Sequence, residues 1–283
     1  MKIIFYAISF IWIMAESAQP ILAQANLKKI AQSPLSIGQT LTLHSAVLQE
    51  ERVLNIYLPL NYNSDSSTTY PVIYLLDGSI DEDFIHIAGL VQFGSFSWIN
   101  MLPQSIIVGI ANVNRKRDFT FPLSTEKDQT EFPGAGHSEK FIQFLEQEIK
   151  PFIQQNYKIN NSQTIIGQSL GGLLATEILL KHPTMFNRYI IISPSLWWDN
   201  QSLLQYTNAD FKNVQAVYIG VGDEGKIMRH VAKKLYKKLK KSAPANLQLH
   251  YQYFPKHDHG DILHQAAYAA FEWMFQQKKE KNN

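Results

Sequence analysis

Gln163-Thr164-Ile165-Ile166-Gly167-Gln168-Ser169-Leu170-Gly171-Gly172 decides how the rest of this 283-residue chain is read. Gln163–Ile166 has the apolar character of a buried strand, and Leu170–Leu180 carries on at once as a helix. Between them stands Gly-x-Ser-x-Gly. A turn this sharp needs glycine on either side of the serine, because a Cβ there collides with neighbouring backbone. The turn lifts Ser169 Oγ clear of the sheet at a helix N-terminus, where the helix dipole and the Leu170 N–H face any developing negative charge. Gly-x-Ser-x-Gly alone arises often by chance; inside strand–turn–helix it marks a nucleophilic serine.

Working outward, the pattern alternates strands with helices. Thr40–Leu43 and Val53–Leu58 alternate apolar and polar residues, and a polar loop from Asn61 to Thr69 follows. Pro71–Leu76, Ser105–Ile110, Tyr189–Ile192 and Ala216–Val221 are apolar on both faces, as central strands of a covered sheet are. Leu247–Phe254 alternates like a strand nearer an edge. Helical spacing joins Phe141, Leu145, Ile149, Phe152 and Ile153, with Pro151 expected to kink or break it. Ile227, Val231, Leu235 and Leu239 form one apolar stripe, and Ile262–Phe275 a final helix. The interleaved lysines at 233, 234, 237, 238, 240 and 241 read as that stripe's wet face, with attraction to a membrane surface the lesser reading. The fold class is α/β: a mostly parallel central sheet, antiparallel N-terminal strands and helices on both faces. No repeat or linker divides residues 26–283, which are expected to form a single domain.

A serine hydroxyl needs a base, and in strand–turn–helix sites the acid and then the histidine follow later strands. His257-Asp258-His259-Gly260 follows the last strand. His259 is the expected base because Gly260 lets the loop return an imidazole over the sheet; His257 is the competitor. Those two histidines with Asp258 or His264 are also a conceivable zinc set. No His-Glu-x-x-His or second ligand cluster accompanies them, so no metal and no cofactor are expected. The acid belongs after Ala216–Val221, where Asp223 and Glu224 stand side by side, and residue pattern alone leaves both open. For an oxyanion hole, the Leu170 N–H needs a second donor from the Asp77-Gly78-Ser79 loop, with Asp77 and Gly78 the candidates.

Composition bounds the rest. A formal charge of +2 gives no reason to expect a nucleic-acid partner, and zero cysteines exclude disulfides, thiolate catalysis and a lipoprotein anchor. Residues 1–25 read as a signal peptide: Lys2, an apolar stretch from Ile3 to Ala15, Pro20, and the small-x-small site Ala23-Gln24-Ala25. The stretch is too short to span a bilayer of roughly 30 Å. A periplasmic or secreted protein, with no stable membrane insertion after cleavage, is the expectation.

With these residues assembled, the sequence resembles the putative-esterase family of α/β-hydrolases that includes enterobactin esterases and esterase D-like enzymes. The resemblance runs from about Ser36 to the C-terminus. It rests on Tyr70–Gly78, Asn114-Arg115-Lys116-Arg117-Asp118, the Gly167–Gly172 turn and Ser193-Pro194-Ser195-Leu196-Trp197-Trp198. Relatives often place histidine where Gln168 stands, a change expected to leave the chemistry untouched. The resemblance implies an α/β-hydrolase fold, ester hydrolysis on Ser169 and His259, and Glu224 as the acid. The implied substrate is a small-molecule ester, a siderophore lactone or a short acyl or aryl ester. Arg115 and Arg117 suit an anionic or catecholate group, and Trp197 and Trp198 suit stacking on a ring. An acyltransferase using the same residues is the alternative; a binding protein on a hydrolase scaffold is a third reading.

Overall fold

The computed structural model describes residues 28–207 and 210–276. The signal-peptide reading of 1–25 therefore lies outside the described residues. A compact unit starts at Ser36, and residues 28–35 carry no helix or strand.

Among the described residues eight strands form one sheet: β1 Gln39–Ser45, β2 Glu50–Tyr57, β3 Tyr70–Leu76, β4 Ile106–Ile110, β5 Ile159–Gln168, β6 Arg188–Ile192, β7 Ala216–Gly222 and β8 Gln248–Phe254. Their order is β1-β2-β4-β3-β5-β6-β7-β8. β1 and β2 pair antiparallel, as do β2 and β4, and every later pair is parallel. The helices are α1 Phe84–Gly94, α2 Arg115–Phe119, α3 Glu126–Glu131, α4 Ser138–Phe144, α5 Lys150–Asn156, α6 Leu170–Lys181, α7 Trp198–Gln201, α8 Lys226–Ser242 and α9 Ile262–Gln276.

Strand side chains alternate between faces, and the core divides accordingly. Ile165, Tyr189, Ile191, Val217 and Ile219 pack with α6 and α8 in one apolar cluster. Ile166, Ile190, Ile192 and Tyr218 pack with α1 and α9 in the other. α6 is apolar nearly all round, and every residue from Gly171 to Leu180 is buried, including Glu177, which pairs with Lys181 at 2.6 Å. A helix of that kind forms only between other layers.

This topology creates the site. β3 lies between β4 and β5, so the chain leaves β3 toward α1 on one face and leaves β5 toward α6 on the other. Where adjacent strands send their connections to opposite faces, a crevice opens at their C-terminal ends. Asp77 follows β3 at that edge, and Ser169 follows β5.

Of two local expectations, one is narrowed and one needs correction. Pro151 does not break its helix: a wider turn of π type, Leu145–Ile149, joins α4 to α5 and leaves Pro151 in the first turn of α5. The shifted hydrogen-bonding pattern accommodates the donor that proline lacks. Ile227 is 48% exposed; the buried stripe of α8 is Met228, Val231, Ala232, Leu235 and Leu239.

Candidate active site

Ser169 occupies φ 59°, ψ −118°, a backbone conformation a non-glycine residue adopts only under constraint. The constraint is visible. Ser169 N–H donates to Ile192 C=O at 3.0 Å, and its own carbonyl accepts from Leu173 and Ser195 at 2.9 and 3.0 Å. A Cβ on Gly167 would sit 2.3 Å from the Gly171 carbonyl oxygen, so the turn closes only around glycine. Leu170 is the first helical residue of α6, so its N–H has no partner within the helix.

His259 comes from the β8–α9 loop, and its Nδ1 lies 2.5 Å from Glu224 Oε2. The other Glu224 oxygen accepts from Ser193 Oγ and from the Gly222 N–H at 3.0 Å. Burial pulls the Glu224 carboxyl upward, but these hydrogen bonds outweigh it and hold the group below its ordinary range. Asp223, the neighbour in sequence, is exposed, and its N–H bonds to His257 C=O at 2.7 Å. His257 itself turns toward Asp261, at 3.2 Å. Among the described residues no group of three or more His, Cys, Asp and Glu converges at metal-binding distance.

Around Ser169 and His259 lies a cleft of about 380 Å³, whose other walls are Asp77, Glu82, Asp83, Arg115 and Gln168. Asp77 and Arg115 form a two-pronged ion pair at 2.6 and 2.9 Å, and Arg115 also reaches the Gln168 carbonyl at 3.2 Å. Arg115 thus ties the loop after β3 to the serine turn. Asp83 is half-buried, and desolvation together with Asp77 and Glu82 pushes its carboxyl up to about 7. Gln168 Nε2 donates to the His259 carbonyl at 2.6 Å. Its side chain thereby ties the serine turn to the histidine loop.

Three expected site residues stand elsewhere. The Gly78 N–H bonds to Ile110 C=O at 3.0 Å, and a Cβ at Gly78 would meet Gly109 Cα at 2.4 Å. The close approach of β4 requires glycine at this position. Arg117 pairs with Glu50 and Asp118 at 2.5 and 2.7 Å, in an ion network with the fully buried Arg52. Trp198 is 2% exposed and donates its indole N–H to the Phe121 carbonyl at 2.9 Å, so it is a core residue. Trp197 is partly exposed, two residues beyond Ser195.

Besides the cleft-wall carboxylates Glu82 and Asp83, sequence reasoning missed Ser193 and Ser195. One holds Glu224, and the other places its Oγ 3.4 Å from Ser169 Oγ. The available signal was two hydroxyls flanking a proline directly after a buried strand, at the sheet edge that carries the serine turn.

The sheet order, the constrained serine between strand and helix, and the histidine loop after the last strand define the α/β-hydrolase fold. Within that class the chain belongs to the esterase family described as "Putative esterase", whose sequence profile matches residues 45–278. It is 34% identical over 172 residues to the ferri-bacillibactin esterase BesA of Bacillus subtilis (strain 168), covering 56% of this chain and 59% of that one. Among solved structures it resembles an IroE-like serine hydrolase from Shewanella oneidensis, with a TM-score of 0.77, 30% identity, and coverage of 84% of this chain and 80% of that one. It also resembles the BES protein from Bacillus cereus, with a TM-score of 0.74, 27% identity, and coverage of 87% and 97%.

Proposed function

We propose that the chain is a serine carboxylesterase that cleaves a small-molecule ester through an acyl-enzyme. The observation that carries this reading is the His259–Glu224 contact at 2.5 Å beside a cleft that Ser169 also lines. In the proposed cycle His259 takes the Ser169 proton as Oγ attacks the ester carbonyl. Glu224, held by Ser193 and Gly222, keeps the imidazole in the required tautomer and supports its cation. The oxyanion is received by the Leu170 N–H and, with Gly78 already engaged, by the Asp77 N–H. His259 returns the proton to the leaving alcohol. Water, deprotonated in turn by His259, then releases the acid and restores Ser169.

The names of the similar proteins support a siderophore ester as substrate class, alongside short acyl and aryl esters. A panel of acyl esters of graded chain length beside a catecholate trilactone tests both substrate and nucleophile. Ser169→Ala is expected to lose about 10³-fold or more in turnover and all labelling by a fluorophosphonate. Labelling that survives in the variant would overturn the assignment, and product formation that requires an added alcohol would make the enzyme an acyltransferase. We also place the activity in the periplasm or medium, on the signal-peptide reading of residues 1–25. The intact mass of exported protein should then begin near Asn26, and full-length protein confined to the cytosol would count against it.

A further inference from the structure

A larger cavity, about 950 Å³, opens at the N-terminal ends of β5 to β8, the far end of the strands from Ser169. Gln163 in its wall lies five residues, roughly 17 Å of strand, before Gln168. We propose that this cavity binds an anionic, hydroxyl-rich small molecule of the phosphorylated or carboxylated polyol class, at a site separate from the hydrolytic cleft.

Charge is the first ground. Among the described residues no Asp or Glu lines the cavity, but Lys150, Arg188 and Lys212 do. Lys212 is exposed and answered by Asp210 at 3.0 Å. Lys150 and Arg188 are not answered: among the described residues neither takes part in an ion pair. The Lys150 ammonium donates to the Met185 carbonyl and sits 4.8 Å over the Phe186 ring. Arg188 Nη1 donates to Ser162 Oγ at 2.6 Å and, at 3.5 Å, to Asn187 Oδ1, and the guanidinium lies 5.5 Å from the Phe275 ring. Desolvation pulls Lys150 down to about 8, against a weaker opposing pull from Glu146, and pulls Arg188 below its ordinary value. Arg117, with Glu50 and Asp118 beside it, is driven the other way. Partly desolvated cations without a counter-ion are costly, and an incoming anion removes that cost.

The second ground is the wall chemistry. Gln163, Gln215 and Gln248 bring amides to the cavity wall, each able to donate and accept, whereas the Asn187 amide is spent within the fold: its Oδ1 accepts from the Gln163 N–H at 2.9 Å and its Nδ2 donates to the Asn161 carbonyl at 2.5 Å. Gln163 Oε1 is buried and has no partner, so the fold itself leaves that acceptor unused. Cations for the anion, amides for hydroxyls and a volume within the range of small-molecule sites describe one ligand class.

Calorimetric titration of the full chain with glucose 6-phosphate, inorganic phosphate and citrate tests this. Saturable one-site binding of at least one probe is expected, weakened about tenfold or more in Arg188→Gln and in Lys150→Met, with ester turnover unchanged. Citrate bound in preference to both phosphates would assign the anion as a carboxylate. Absence of saturable binding in the wild type, or binding undiminished in both variants, overturns the proposal. If a variant loses turnover as well, its fold is damaged. Gln163→Leu, which removes that side-chain amide with its unpartnered acceptor, then decides: weakened glucose 6-phosphate binding sustains the site, and unchanged binding overturns it.

Discussion

Ser169 holds a backbone conformation that costs a non-glycine residue about 1–3 kcal/mol, and its neighbours sustain it through three backbone hydrogen bonds. The same neighbourhood separates two adjacent carboxylates. Glu224 turns inward to accept from Ser193 and the Gly222 N–H, which leaves its second oxygen aimed at His259 Nδ1. Asp223 points to solvent. Glu224→Gln is therefore expected to lower turnover by up to about 10⁴-fold, since an amide neither supports the imidazolium nor enforces its tautomer. Asp223→Asn should stay within a few-fold of wild type. Steady-state kinetics on a single chromogenic ester compares the two directly. A crippled Asp223→Asn beside a healthy Glu224→Gln would exchange their roles.

At the scale of elements, an ion network joining β2 to α2 engages Arg117, while its neighbour Arg115 lines the cleft. Arg52 on β2 is fully buried beneath the rings of Phe141 and Phe144, and Asp118 on α2 meets it at 2.8 Å. Arg117 completes the network from the surface, bridging Asp118 and Glu50. Arg115, two residues earlier in sequence, turns instead to Asp77 and the serine turn. Breaking one partner of a buried pair leaves the other charge uncompensated, so Asp118→Asn should destabilise the fold by about 3–5 kcal/mol. Arg117→Ala should cost less, because it is partly exposed. Urea unfolding together with KM measures both effects. A KM raised tenfold in Arg117→Ala with stability unchanged would return that residue to substrate binding.

For the molecule as a whole, the architecture was legible because its signals are periodic. The two-faced apolar runs and the Gly-x-Ser-x-Gly turn each correspond to an observed strand or strand–helix junction. What sequence could not give was direction: which of Arg115 and Arg117 faces the cleft, which tryptophan is buried, or that the Gly78 N–H is spent on β4. Those depend on contacts between distant segments, as does the choice between adjacent carboxylates. So does the character of the cleft wall, where Glu82 and Asp83 crowd Asp77, and this has a consequence for global stability. Desolvation, Asp77 and Glu82 raise Asp83 to about 7, against the opposing pull of Arg115. A raised pKa means that the folded state keeps a proton the unfolded chain gives up above about 4. Stability is thus lost as pH climbs from about 4 to 7, and the loss is complete above that window. Asn cannot ionise, so Asp83→Asn should melt with the wild type near pH 4 and above it at pH 8. With solvent screening allowed for, the gain is about 1–2 kcal/mol, or roughly 2–6 °C in Tm. Thermal melts of both proteins across pH 4–8 supply the test: a difference that grows with pH is expected, and a flat one would mean that Asp83 ionises as an ordinary surface carboxylate does.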